Sequence, residues 1–187
     1  MDRELFWTLL EPEHAKAEAF CRKLEQNRED GDDLYQDSLV LALRKFDSLR
    51  ERGSFRPWLY RIIVNGHKNR HRLSWWRHRA TLTPGILETR FAHDPSGQLT
   101  ARRWLERAFE ALNPGEQALI TLFDLENWSV AELAALYRVA EGTIKARLSR
   151  SRRKMRQKLK RYLSRQESTN QLKEAEYALP RSKTADG

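Results

Sequence analysis

Residues Ser129–Tyr162 read SVAELAALYRVAEGTIKARLSRSRRKMRQKLKRY. Ser129 with Glu132 three residues on makes a capping box, in which a hydroxyl and a carboxylate satisfy the backbone N–H groups that a helix start leaves open. Val130, Leu133, Ala134, Leu136 and Tyr137 then recur at helical spacing. Arg138 to Glu141 is too short for an element and suits a tight turn between helices. A second helix is expected from about Gly142, with Ile144, Leu148, Met155, Leu159 and Tyr162 along one stripe.

The charge on that second helix is one-sided. From Gly142 to Arg165 there are eleven Lys or Arg and no Asp or Glu. Like charges one turn apart repel by a few tenths of a kcal/mol per pair, so a one-sign helix implies a partner of opposite sign. The arrangement predicts a helix-turn-helix whose second helix enters a DNA major groove by its N-terminal residues. On this reading Lys145, Ala146, Ser149 and Arg150 face base edges. Arg147, Arg152, Arg153 and Lys154 serve phosphates or protein surfaces. A good bidentate pair to guanine supplies roughly 1–3 kcal/mol of discrimination. The plainer alternative is a basic solvated or RNA-binding helix.

Composition agrees with an anionic partner. The 187 residues carry a net charge of +9, and a third are charged. The isoelectric point is near 9.9 and the mean hydropathy −0.79. Such a balance favours nucleic acid first and a membrane surface second. No run of eighteen apolar residues suggests a membrane span. The start, MDRELFWTLLEPEHAK, lacks the features of a signal peptide, so the cytoplasm is the expected compartment. Cys21 stands alone, which excludes an intrachain disulfide and a cysteine-based metal cluster. His14, His67, His71, His78 and His93 show no ligand spacing with partners, so neither a metal nor a cofactor is expected.

Upstream, residues 4–27 read as helical, with Leu5, Phe6, Leu9 and Leu10 and then Ala15, Ala19, Phe20 and Leu24 on apolar faces. Asn27 to Asp32, NREDGD, reads as a polar loop. In DDLYQDSLVLALRKFDSL, capped by Asp32 or Asp33, Leu39, Leu43 and Phe46 recur at helical spacing with Val40 beside them. Asp33, Gln36 and Asp37 share an exposed face there: either an acidic–amide patch for a partner or a solvated face. Arg50 to Ser54 breaks the helix, and Pro57 fits the first turn of the next. Trp58, Leu59, Ile62 and Ile63 are its apolar side. Asn65, Lys68, Asn69 and Arg72 line up on one face, where amides and bases suit contact with unpaired bases. Leu73 to Thr100 is rich in turn residues and reads as a linker containing Trp75 and Trp76. A second domain follows from about Arg102, with Trp104, Leu105, Ala108, Phe109 and Leu112 on one helix. Asn113, Pro114 and Glu116 signal a sharp restart. The tail after Leu163 is polar with mixed charge, and disorder is expected, at least beyond Ala178.

These pieces resemble a known family. DLYQDSLVLALRKFD is similar to the polymerase-binding helix of bacterial sigma factors. RGSFRPWLYRIIVNGHKNRHR resembles the promoter-melting and −10-recognition segment that follows it. ALNPGEQALITLFDLENWSVAELAALYRVAEGTIKARLSRSRRKMRQKL resembles the family's C-terminal domain. Two such domains on a short linker, covering Phe20 to Leu163, look like the extracytoplasmic-function (ECF) type of the sigma-70 family. The usual acid is present as Asp37. The chain departs from the pattern where Leu39 replaces a phenylalanine, where Leu112-Asn113-Pro114 stands for the usual LP, at Lys145, which replaces a residue that varies between Lys and Arg, and at Gly66, where helix formers are more usual.

The resemblance implies an all-α fold of two small helical domains joined by a flexible linker, the C-terminal one a helix-turn-helix. The implied divisions are 1–73, a linker over 74–101, 102–163, and a tail over 164–187. It implies no enzymatic activity. It implies binding to the beta and beta' subunits of core RNA polymerase through Asp33, Gln36 and Asp37. Asn65, Lys68, Asn69 and Arg72 would take the melted −10 element. Thr143, Lys145, Ala146, Arg147, Ser149, Arg150 and Arg153 would read the −35 element as duplex. An anti-sigma factor is a further implied partner. A stand-alone helix-turn-helix regulator is the alternative, and it leaves the Asp33–Asp37 patch unexplained.

Overall fold

The computed structural model describes the backbone of residues 3–49, 51–80 and 98–178, and the side chains of residues 3–49, 51–72 and 104–165. The first half contains α1 (Arg3–Leu10), α2 (His14–Glu25), α3 (Arg28–Lys45) and α4 (Phe55–Ala80), with short 3-10 turns at Phe46–Ser48 and Arg52–Ser54. The second half contains α5 (Gln98–Phe109), α6 (Pro114–Ile120), α7 (Val130–Tyr137) and α8 (Glu141–Ala178). Among the described residues there is no strand, and the fold is all-α as expected.

The first half is built on α3, which packs between α2 and α4. The polar run Asn27–Asp32 is not a loop. Gln26 ends α2 in the left-handed region (φ 59°), and the Asn27 side chain accepts the Asp30 N–H at 2.8 Å, so α3 starts at Arg28. The cap lies five residues upstream of the expected Asp32. Gly31 is buried inside the helix, where α2 crosses it. The buried row of α3 is Leu34, Tyr35, Ser38 and Ala42. Leu39 and Leu43 flank it, and Val40 is 50% exposed, so this helix buries a face turned away from Val40. The α4 helix runs unbroken through Gly66. A Cβ at that position would lie 3.1 Å from Leu34 Cδ1, so the missing side chain lets α3 and α4 approach. Phe6, Phe46, Phe55 and Trp58 form an edge-to-face group that docks α1 and the 3-10 turn on α4.

The second half follows its caps closely. Asn113 accepts the Glu116 N–H at 2.9 Å, and Glu116 accepts the Asn113 N–H at 3.0 Å. Ser129 and Glu132 make the same reciprocal pair at the start of α7. Between them α6 widens into a π-turn over Thr121–Leu125, which the sequence did not announce. Arg138, left-handed at φ 54°, ends α7, and the Val139 N–H donates back to the Ala134 carbonyl at 3.1 Å. This Schellman-type closure turns the chain sharply into α8. Ile144, Leu148 and Ser151 are buried along α8, with Met155 partly so. The helix does not stop near Leu163 but continues to Ala178. The expected linker and its Trp75 and Trp76 side chains lie outside the described residues, apart from the helical backbone of α4 to Ala80 and of α5 from Gln98.

The halves are packed together. The α4 helix lies against α6 and α7. Tyr60 and Trp128, both nearly inaccessible, meet across the seam in a tilted ring contact with centroids 4.8 Å apart.

Candidate nucleic-acid interface

Asp33, Gln36 and Asp37 are all exposed on one face of α3, as three- and four-residue spacing requires. Asp37 Oδ2 accepts from Arg70 Nη2 at 2.6 Å, yet its side chain stays 75% exposed. An exposed pair of this kind contributes about 0.2–1 kcal/mol, so the patch is available to a partner at little cost.

On α4, Asn65, Lys68, Asn69 and Arg72 are likewise exposed along one face. The opposite side turns inward: Val64 and His67 are buried, and Arg70 is held by Asp37 and by the Asp30 carbonyl. The helix thus separates a polar reading face from a packed one.

On α8, Lys145, Ala146, Ser149, Arg150 and Arg153 are exposed, and Thr143 and Arg147 are half-buried. Three of the cations are paired within the domain. Arg152 pairs with Asp124, Lys154 with Glu116 at 2.6 Å, and Lys158 with Glu110 at 3.5 Å. These three hold α8 on its own domain. Among the described residues Lys145, Arg147, Arg150 and Arg153 form no ion pair, which leaves their charge for an external anion. The sequence reading left Arg152 and Lys154 open between phosphate and protein; the structure gives both to protein. The α7 start is held firmly too. Hydrogen bonds from the Ser129 backbone and hydroxyl, with Arg56 nearby, keep the Glu132 carboxyl below the usual carboxylate range.

The α4 and α8 faces meet. Lys68, Gly115, Tyr137, Arg147 and Arg150 line one crevice of about 350 Å3. Lys68 Nζ lies 5.9 Å from the Tyr137 ring centre. Nearby, Arg56 spans the seam: its guanidinium sits 4.2 Å over the Trp128 ring, and Nη1 donates to Glu132 Oε1 at 2.7 Å. Lys23 Nζ donates to Glu126 Oε1 at 2.6 Å on the same seam. Nothing in the sequence pattern pointed to these long-range partners.

One grouping was missed by the reading of the histidines. His67 and His71 are one turn apart on α4 and both approach Glu25 of α2. His78 and His93 lie outside the described side chains.

Comparison with known proteins covers both halves. Residues 9–77 match the family described as Sigma-70 region 2, and residues 102–155 the family described as Sigma-70, region 4. The chain is 30% identical over 154 residues to the ECF RNA polymerase sigma factor SigM of Mycobacterium tuberculosis, covering 82% of this chain and 76% of that protein. It is 30% identical over 131 residues to the ECF RNA polymerase sigma-E factor of Salmonella typhimurium, covering 64% of this chain and 69% of that one. The sigma factor RpoE from Bartonella quintana, solved in complex with the anti-sigma factor NepR, matches with a TM-score of 0.63 at 26% identity, over 83% of this chain and 96% of that chain.

Proposed function

The chain belongs to the ECF sigma factors of the sigma-70 family, and on that premise we propose how its two halves divide promoter recognition. It is a sigma factor that binds core RNA polymerase and directs promoter-specific initiation of transcription. The family supplies a non-enzymatic initiation factor, so the work is binding and positioning. Its place is with the polymerase in the cytoplasm; among the described residues no helix is long and apolar enough to cross a membrane.

Residues 1–73 act as the polymerase-binding and −10 domain, 74–101 as linker and 102–163 as the −35 domain. Asp33, Gln36 and Asp37 meet the beta and beta' subunits. Asn65 and Asn69 take an extruded base of the melted −10 strand, while Lys68 and Arg72 hold its phosphates. Extrusion costs a few kcal/mol, which the polymerase contacts and the captured base offset. Thr143, Lys145, Ala146, Arg147, Ser149, Arg150 and Arg153 address the −35 duplex. The observation that carries this reading is that Arg152, Lys154 and Lys158 pair with acids of their own domain, while among the described residues Lys145, Arg147, Arg150 and Arg153 form no ion pair. A stand-alone regulator accounts for α7 and α8 but gives the exposed Asp33–Asp37 face no work. An anti-sigma factor is the expected regulator, supported by the RpoE–NepR likeness.

Elements named −35 and −10 lie about 25 base pairs apart, roughly 85 Å of B-form duplex. Lys68 and Arg150 instead line one crevice. The packed arrangement cannot hold both elements, so the halves separate before the promoter is engaged.

The deciding experiment is binding of the full chain to core RNA polymerase, followed by transcription in vitro from genomic fragments. Tight binding and transcripts from defined starts are expected, with Asp37→Arg weakening polymerase binding at least tenfold. That substitution loses only an exposed pair, so thermal stability stays close to wild type. DNA binding as a dimer with no polymerase affinity would instead make the chain a conventional regulator.

Two α8 substitutions separate base reading from phosphate contact. Arg150→Ala is expected to relax preference at its base position by about 1–3 kcal/mol. Arg153→Ala is expected to weaken all −35 sequences alike and lower the salt slope by about one. A promoter library showing the reverse pattern refutes the assignment.

A further inference from the structure

The seam between α2 and α4 holds a side-chain group that promoter recognition leaves unused. Glu25 is the last residue of α2, and His67 and His71 follow one another by a single turn on α4. His67 Nδ1 lies 2.9 Å from Glu25 Oε1, and His71 Nε2 lies 3.9 Å from Glu25 Oε2. One donor atom from each of the three residues falls within 4.8 Å of the other two. The imidazole rings are 4.5 Å apart at their centroids and nearly perpendicular.

Two observations set this group apart from an ordinary surface ion pair. Only 10% of the Glu25 side chain is exposed, and among the described residues no Lys or Arg pairs with it. A carboxylate this buried requires a positive partner close by. His67 is fully buried and only half satisfied: Nδ1 meets Glu25, while Nε2 has no hydrogen-bond partner. A nearly buried carboxylate, a buried imidazole that meets it through Nδ1 and a second imidazole therefore converge from two helices.

Two imidazoles and a carboxylate are the donor set of borderline divalent cations, zinc foremost. Around a tetrahedral zinc with bonds of about 2.0–2.1 Å, neighbouring donor atoms sit roughly 3.3–3.4 Å apart. The separations found here straddle that value, and side-chain shifts on the order of 1 Å close the set. His71 is partly exposed and provides the entry path, leaving an open position for water.

We propose that Glu25, His67 and His71 form a site for a divalent transition-metal ion, zinc by its chemistry, that clamps α2 to the turn of α4 carrying Lys68, Asn69 and Arg72. The clamp fixes the packed side of α4 directly behind its polar face. Metal binding here depends on these three side chains and not on the sigma factor reading.

The test uses the full chain, stripped with a chelator and titrated with zinc chloride while heat and thermal unfolding are followed. One equivalent is expected to bind, with a rise in Tm. His71→Ala and Glu25→Gln are each expected to lower the zinc affinity at least tenfold, in keeping with the loss of a ligand. His14→Ala, a histidine outside the group, is expected to leave binding unchanged. Because His71 is partly exposed, its replacement leaves the metal-free protein folded, and the metal-free Tm verifies this. No saturable binding, or equal affinity in wild type, His71→Ala and Glu25→Gln, meaning an adventitious ion only, overturns the proposal.

Discussion

Replacing Gly31 with alanine is expected to destabilise the N-terminal domain, although alanine is the better helix former. A Cβ at Gly31 would lie 2.5 Å from Arg22 Cα and 2.8 Å from Arg22 N. Both are backbone atoms of α2, so no side-chain rotation relieves the contact. The substitution gains about 1 kcal/mol of helix propensity on an interior position. Against this, forcing the helices apart costs about 1–3 kcal/mol in overpacking. It also strains the Arg22–Asp32 bond at 2.5 Å and the Leu34 and Cys21 packing behind it. The clash wins, and a net loss of about 1 kcal/mol is expected. For a chain of this size that lowers Tm by roughly 2–4 °C. Thermal unfolding followed by circular dichroism reads it directly, and an unchanged or raised Tm would falsify the close-approach role of Gly31.

Gly31 also shows where sequence reading stops. NREDGD has a loop's composition, and helix propensity alone cannot rescue it. Its glycine is present because another helix crosses there, and that crossing is not written locally. The caps at Asn113 and Ser129 were legible because both partners of each bond lie within three residues. The Asp33–Gln36–Asp37 face and the α4 face from Asn65 to Arg72 were legible for the same reason, since helical spacing fixes which residues share a side. Val40 reads as apolar core and is half exposed, because α3 buries its Leu34–Ser38–Ala42 row instead. The tail beyond Leu163 is polar, with disorder expected at least beyond Ala178; nothing in QESTNQLKEAEYA breaks a helix, and α8 carries on to Ala178. Glu25 with His67 and His71, and Tyr60 with Trp128, join residues far apart in sequence. No periodicity reports such pairs.

The seam built on Trp128 makes the second large effect. Arg56→Glu is expected to open the packed arrangement and raise affinity for a −35 duplex about tenfold. Arg56 joins α4 to the C-terminal half through the Trp128 ring and Glu132, and its Nε lies 3.5 Å from Glu13 Oε2. Losing the ring contact costs about 0.5–2 kcal/mol. The ion pairs, a third exposed, add about 0.2–1 kcal/mol. Reversal then sets a carboxylate beside Glu132, for a total of about 2 kcal/mol against the closed state, while the Glu13 contact lies within the N-terminal half and changes in both states. At about 1.4 kcal/mol per tenfold, that shifts the closed-to-open ratio by well over tenfold. The duplex affinity follows up to the limit set by the closed fraction. The sign is diagnostic. The substitution lowers the net charge from +9 to +7, which by itself weakens DNA binding. A gain in affinity can therefore come only from opening the crevice that Arg147 and Arg150 share with Lys68. Small-angle scattering should show a larger radius of gyration for the variant, with helical circular dichroism unchanged. A compact variant that binds the duplex more weakly than wild type would mean that the packed form already presents its −35 face, and that the seam plays no part in access to DNA.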